Sequence, residues 1–380
     1  MKQFLYQCLL PLVSLSTIAF QPFTVASAKS PTSSSVKCSE TYLPVALSPN
    51  ESPQYKIYGQ LCSKLPIEGR TVQVLVSGLT YNHSYWDFPY QQERYSYVNA
   101  ITRAGYATFN IDRIGLGKSS RPPADQVNLQ SNTYVLAQIN QALRNGAIEG
   151  VRFDRIINVG HSYGSFGPVI YAASQYGGVD GVILTGFLHN LKLDYAQFAL
   201  NSFYSAQLDP KFSGQNIPDN YQTTIPGTRG ELFYNQQNVD PQVVTLDEQL
   251  KDTVTTSEID SEIDAVLSDT SKNINVPVLL VIGQQDNPFC TPTICNSAES
   301  VAALEAPYFS QNAKLQIYVL PNAGHDINLQ LNAPLWYKVS RQWSDRFVGK
   351  GSISEDEPSD KEESYDSGHK GCLVACDVKK

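Results

Sequence analysis

Arg155-Ile156-Ile157-Asn158-Val159-Gly160-His161-Ser162-Tyr163-Gly164 runs from a β-branched, apolar stretch into a serine with a glycine two positions away on each side. The first five residues read as a buried strand, and the small-residue stretch 163–175 behind the serine reads as a helix. A serine on so tight a strand-to-helix turn needs small neighbours. Larger side chains would collide with the adjacent strand and helix and keep the hydroxyl out of a cleft. The helix also directs its positive end at the serine. G-x-S-x-G is a weak string by itself, and its place between strand and helix is what makes Ser162 a candidate nucleophile.

Outward from this point the same rhythm repeats. Short apolar runs at 71–77, 107–111, 155–160, 181–185, 276–283 and 315–320 end in turns and alternate with helical stretches. Strands apolar on both faces that alternate with helices predict an α/β fold, a mostly parallel central sheet flanked by helices. Two further strands are expected at 42–47 and 55–62. Between 187 and 273 the buried-strand signal stops. That interval is rich in Tyr, Phe, Gln and Asn, with helical stretches at 193–207 and 241–268, and reads as an inserted, mainly helical cap. No internal repeat is visible.

A serine hydroxyl needs a base within hydrogen-bond reach. The chain has five histidines: His83, His161, His189, His325 and His369. His325 lies in Pro321-Asn322-Ala323-Gly324-His325-Asp326, just past the last expected strand, where a loop side chain can swing over the crevice of an open α/β sheet. His161 adjoins the serine and is expected to face away, His83 is a possible wall residue, His189 follows another strand end, and His369 falls in the tail. The base in turn needs a carboxylate to fix its tautomer. Asp286 ends the run at 276–286 and is the candidate, with Asp194 and Asp326 as rivals. Asp326 is too close in sequence to reach its neighbour's ring correctly.

These landmarks together resemble the α/β-hydrolase superfamily, in its secreted esterase- or lipase-like form, over residues 42–348. Val76-Ser77-Gly78-Leu79 is similar to the family's His-Gly-x oxyanion segment, with Ser77 in place of the histidine, which puts the shape of that loop in question. Asn110 through Ser119 resembles the family's Asp-x-x-Gly-x-Gly-x-Ser turn. The resemblance implies a triad of Ser162, Asp286 and His325, with the backbone N–H groups of Leu79 and Tyr163 as oxyanion donors. It implies hydrolysis of a carboxylic ester, thioester or lactone through an acyl-serine, with a small-molecule ester-type substrate and no metal or organic cofactor. Acyl transfer, perhydrolysis or lyase chemistry on the same triad remain open, as does a non-catalytic binding module. Haloalkane dehalogenase and epoxide hydrolase readings require a carboxylate at position 162 and are excluded. Gly115 and Gly117 lack the third glycine and downstream acid of a dinucleotide site and read as a tight turn. The aromatic segment at 81–88 reads equally as acyl pocket or as packing.

The termini and charge complete the reading. Residues 1–28 have a basic start, an apolar stretch and Ala26-Ser27-Ala28, the pattern of a cleaved signal peptide, so the protein is expected to be secreted, extracellular or periplasmic, without a stable membrane anchor. Residues 29–41 read as a linker. Six cysteines remain after cleavage, and proximity favours Cys38–Cys62, Cys290–Cys295 and Cys372–Cys376. Of the net charge of −8, the run at 355–366 supplies −6, from seven carboxylates and one lysine. With no basic stripe, nucleic acid is not an expected partner. The tail 349–380 lacks the apolar content to fold alone and is expected to be disordered.

Overall fold

The computed structural model describes residues 36–64, 67–351 and 374–375. Their strands are β1 (Lys37–Val45), β2 (Tyr55–Ser63), β3 (Thr71–Val76), β4 (Ala107–Ile111), β5 (Arg155–His161), β6 (Gly181–Thr185), β7 (Phe203–Ser205), β8 (Tyr221–Thr224), β9 (Val254–Thr255), β10 (Val278–Gly283), β11 (Gln316–Leu320) and β12 (Val374–Ala375). Nine of them form one sheet in the order β1-β2-β4-β3-β5-β6-β10-β11-β12. Pairing is parallel from β4 to β11 and antiparallel at β1–β2, β2–β4 and β11–β12.

Alternate residues of the central strands enter two different apolar layers, which is why their sequences are apolar throughout. Val278, Leu280 and Ile282 of β10 join one cluster, and Leu279 and Val281 join the other. In β5, Ile156 points to the first layer while Ile157 and Val159 point to the second. Helix Leu129–Asn145 covers the first through Val135, Leu136, Ile139 and Leu143. Helices Tyr97–Arg103 and Ala333–Phe347 cover the second, with the Tyr97 ring stacked on Trp336 at 4.7 Å. Each such fully buried aliphatic side chain contributes roughly 1.5–3 kcal/mol, so both layers hold the sheet that carries the site.

The expected runs at 107–111 and 181–185 coincide with β4 and β6. β1 starts at Lys37, inside the stretch expected to be a linker, because this edge strand exposes much of its length and needs no apolar pattern there. Cys38 and Cys62 face each other across β1 and β2 and form a disulfide. The helix expected at 163–175 is broken in the structure. A π-helical turn, Ser165–Val169, precedes the α-helix Ile170–Gln175, and Pro168, which has no N–H to donate, lies in that turn.

Between β6 and β10 the chain forms helices Leu193–Leu200, Arg229–Phe233, Pro241–Leu250, Thr256–Asp260 and Glu262–Val266. It also forms a small antiparallel sheet, β7-β8-β9, that was absent from the expectation. Those strands have three, four and two residues, too short to show a period of two. The signal peptide, the Cys372–Cys376 pair and His369 lie outside the described residues, as does most of the acidic tail. The segment Val374–Ala375 pairs with Gln316 and Ile317 of β11.

Candidate active site

Ser162 leaves β5 with φ of +53°, a left-handed conformation that costs a non-glycine residue about 1–2 kcal/mol. Its N–H donates to Thr185 O at 2.8 Å, and its carbonyl accepts from Ser165 N at 2.8 Å. The flanking glycines are sterically required. A Cβ at Gly160 would sit 2.6 Å from Ser165 Cα, and one at Gly164 would sit 2.4 Å from the Val76 carbonyl oxygen. On the facing loop, a Cβ at Gly78 would fall 3.0 Å from Ser162 Cβ.

Asp286 follows β10 and His325 follows β11, which are parallel neighbours. The His325 Nδ1 lies 3.0 and 3.1 Å from the two Asp286 carboxylate oxygens, leaving Nε2 as the remaining ring nitrogen. Their loops pack backbone on backbone, since a Cβ at Gly283 would lie 2.2 Å from Gly324 O. The Asp286 carbonyl accepts from Cys290 N at 2.8 Å, and Cys290 is bonded to Cys295. Burial disfavours the His325 imidazolium, but Asp286, Asp326 and Glu262 outweigh it, and the ring's pKa is raised above the usual histidine value.

Ser162 and His325 line one cavity of about 240 Å³, floored by the sheet and roofed by the cap. Its walls are mostly apolar, including Leu79, Leu191, Phe203, Phe233 and Phe289. The Ser162 hydroxyl makes no hydrogen bond to His325 or to any other described residue. Contacts between nucleophile and base often tighten only when substrate is bound.

The loop carrying Leu79 is held from behind. Arg113, fully buried in the turn after β4, donates to Ser77 O at 3.0 Å and Gly78 O at 3.1 Å. With the Gly78 carbonyl so fixed, the trans peptide aims the Leu79 N–H the opposite way. Arg113 also pairs with Glu258 of the cap and lies over the Tyr163 ring at 4.8 Å. Tyr163 opens the helical turn behind Ser162, where an N–H has no intrahelical acceptor. Ser77, in the position where the family commonly has histidine, closes its own loop by donating to Tyr81 O at 2.6 Å.

A second buried polar network adjoins the site, and sequence reasoning missed it. His161 does not face away: its ring lines the cavity, stacked on Tyr85 at 4.3 Å and tilted against the His325 ring at 4.9 Å. Space for it comes from Gly186, with φ of +59°, where a Cβ would lie 2.7 Å from His161 Cε1. His161 Nε2 meets Asp326 at 3.2 Å, Asp326 meets the Tyr81 hydroxyl, and Tyr81 meets Asp247 at 3.0 Å. Arg229 closes the chain with a bidentate grip on Asp247 at 2.8 and 3.0 Å. Burial and the nearby His325 charge lower the His161 pKa, so its contact with Asp326 is a hydrogen bond rather than an ion pair. Burial and then the Asp247 charge push the Asp326 carboxyl up to about 7. Asp326 thus serves His161 and Tyr81, not its sequence neighbour.

The other candidates fall elsewhere. His83 pairs with Asp112 at 2.7 Å beneath the tight turn, where a Cβ at Gly117 would strike Asp112. His189, Glu305 and Ser271 form a serine–histidine–acid chain at 2.7 and 2.9 Å, but it is buried and ties the end of the cap to the core. Asp194 is exposed and contacts its neighbour's N–H. Of the aromatic segment, Tyr81 reaches the cavity, whereas Trp86 packs against the stacked rings of Tyr97 and Trp336. Among the described residues no cluster of three or more His, Cys, Asp or Glu is arranged to hold a metal ion.

Residues 73–335 match the model of the alpha/beta hydrolase family. The chain belongs to that family. This alpha/beta hydrolase is similar in structure to a thermophilic esterase from Thermogutta terrifontis, at 15% identity over 80% of this chain and 97% of the other, with a TM-score of 0.52. It is similar to the enol-lactonase from Burkholderia xenovorans LB400, at 13% identity over 76% and 96%, TM-score 0.51. It is likewise similar to a bromoperoxidase from Bacillus anthracis, at 16% identity over 80% and 99%, TM-score 0.51. At such identities the likeness is one of fold, and it bears out the expected sheet-and-helix architecture. No curated protein matches the hydrolase in sequence.

Proposed function

We propose that this alpha/beta hydrolase is an exported serine hydrolase acting on a carboxylic ester, thioester or lactone through an acyl-serine intermediate. The observation that carries the reading is Ser162 on its left-handed elbow, opening into the same cavity as a histidine already bonded to a buried aspartate. Ser162 Oγ bonds to the substrate carbonyl carbon as its proton passes to His325 Nε2. The carbonyl oxygen takes the negative charge and accepts from the Leu79 and Tyr163 N–H groups, each worth about 3 kcal/mol in such holes. Asp286 keeps the ring in the tautomer with Nδ1 protonated and stabilises the imidazolium. Collapse restores the carbonyl and breaks the bond to the leaving alcohol or thiol, which takes the His325 proton. Water, deprotonated by His325, then attacks the acyl-serine, releasing the acid and regenerating Ser162.

Export is supported by the leader-like first 28 residues and by two disulfides among the described residues. Among those residues no helix is long and apolar enough to cross a membrane. The reading is tested with a panel of short and long p-nitrophenyl esters, with and without added alcohol. Wild-type protein turns over members of the panel and Ser162→Ala does not. Undiminished turnover by Ser162→Ala overturns the mechanism, and transfer to alcohol outrunning hydrolysis makes the protein an acyltransferase.

A further inference from the structure

One carboxyl in the cavity wall takes part in the acyl transfer only through its charge on His325. Glu262 opens the cap helix Glu262–Val266 and lines the cavity together with Ser162 and His325. Glu258, one turn earlier, is spent on Arg113, Asn132 and its own helix cap. Glu262, by contrast, makes no hydrogen bond or ion pair with any described residue. The rest of the lining is mainly apolar and includes Leu79, Tyr195, Phe203, Ile259 and Ile263. The lining contains no lysine or arginine, and its other acid, Asp260, is exposed.

Glu262 is half-buried, so a carboxylate here without a partner loses part of its hydration, a loss that a cationic ligand offsets. We infer that Glu262 selects the substrate, pairing with an ammonium group carried a few bonds from the scissile carbonyl of an otherwise aliphatic ester. The inference rests on the proposed serine-hydrolase reading for its chemistry, and on the cavity's geometry for its choice of ligand. An amine suits this wall better than a carboxylate or phosphate, because two acids and no fixed cation face the space. Burial, opposed by the His325 charge, pushes the Glu262 carboxyl up to about 7. A bound ammonium reverses that cost by favouring the ionised form. The volume of about 240 Å³ suits a short chain.

The test uses two matched pairs at pH 8. One pair places the amine in the acyl chain, as p-nitrophenyl esters of aminohexanoic and heptanoic acids. The other places it in the alcohol, as aminohexyl and heptyl butyrates. In at least one pair the wild type favours the ammonium ester in kcat/KM, and Glu262→Gln lowers that preference by about tenfold or more. Alongside, hexylammonium binding is measured by calorimetry, which needs no turnover. Wild type binds it, and Glu262→Gln binds it about tenfold more weakly or worse. Thermal melts of both proteins establish that the variant is folded.

A preference unchanged by the substitution in both pairs, or equal loss on charged and uncharged esters, overturns the inference. So does hexylammonium binding that is absent, or equal in both proteins. If wild type hydrolyses no ester at all, the serine-hydrolase reading fails, and amine binding alone still decides the role of Glu262.

Discussion

Asp326 gives its carboxyl to the His161 imidazole, 3.2 Å away, and not to His325, its neighbour in the chain. The same carboxyl meets the Tyr81 hydroxyl, which also meets Asp247. A phenol has one proton to donate, so one of these two carboxyl contacts must be donated by a carboxylic acid. Asp326 is that acid, since burial and the Asp247 charge hold its pKa at about 7.

This proton makes stability depend on pH. In the unfolded chain Asp326 releases it near the ordinary value of 3.8, and in the folded protein near 7. Between those values the folded state holds more protons, so its stability falls as pH rises and levels off above the folded pKa. Glu262, raised to about 7, and His325, raised above 6.5, contribute with the same sign, whereas His161, lowered by burial, contributes with the opposite sign below 6.5. Denaturant unfolding at pH 5 and pH 8 shows the protein less stable at pH 8, and Asp326→Asn reduces the difference by about 1 kcal/mol or more. A pH dependence identical in the variant contradicts the assignment.

Activity follows the opposite limb of a related titration. His325 acts as a base only when neutral, and Asp286 raises its pKa after burial has lowered it. kcat/KM therefore rises with pH through a value above 6.5. Asp286→Asn removes the charge, moves that limb to lower pH and cuts kcat by about a hundredfold or more. A pH–rate profile of both proteins checks the two shifts together.

The elbow tolerates no added carbon. A Cβ at Gly164 would meet the Val76 carbonyl at 2.4 Å, a backbone atom of β3 that cannot rotate aside. Gly164→Ala is expected to lose about 1–3 kcal/mol of stability and most hydrolytic activity. Guanidinium unfolding and ester turnover measure each; an active variant of wild-type stability refutes the steric argument.

How much of this was readable beforehand depended on chain distance. β4 and β6 were legible because strands buried on both faces must be apolar at every position. Gly160, Gly164, Asp286 and His325 were legible because each occupies a turn at the end of such a strand. Arg113 reads in sequence only as one residue of a turn, since nothing local indicates that it holds Ser77 and Gly78, over 30 residues upstream, and Glu258 in the cap. The polar chain through Tyr81, Asp247, Arg229 and Asp326 was hidden for the same reason. The orientation of His161 is not legible locally because the room for its ring comes from Gly186, on a different strand end. β7, β8 and β9 were invisible because their strandness comes from pairing within the cap rather than from composition.

The Cys290–Cys295 bond restrains the turn that starts at Asp286. Non-reducing peptide mapping is expected to recover the two cysteines linked, and Cys290→Ser with Cys295→Ser to lower kcat more than it lowers the unfolding midpoint. Free thiols in the native protein remove this brace from the account.

The central claim is that Ser162 is the nucleophile and His325 its base, and covalent labelling addresses both directly. Purified protein is treated with a fluorophosphonate, and the modified peptide is identified by mass spectrometry. The expected product is a single adduct on Ser162, formed about a hundredfold or more slowly in His325→Ala. An adduct on another serine with Ser162 unmodified, or labelling of Ser162 at an undiminished rate without His325, contradicts the account.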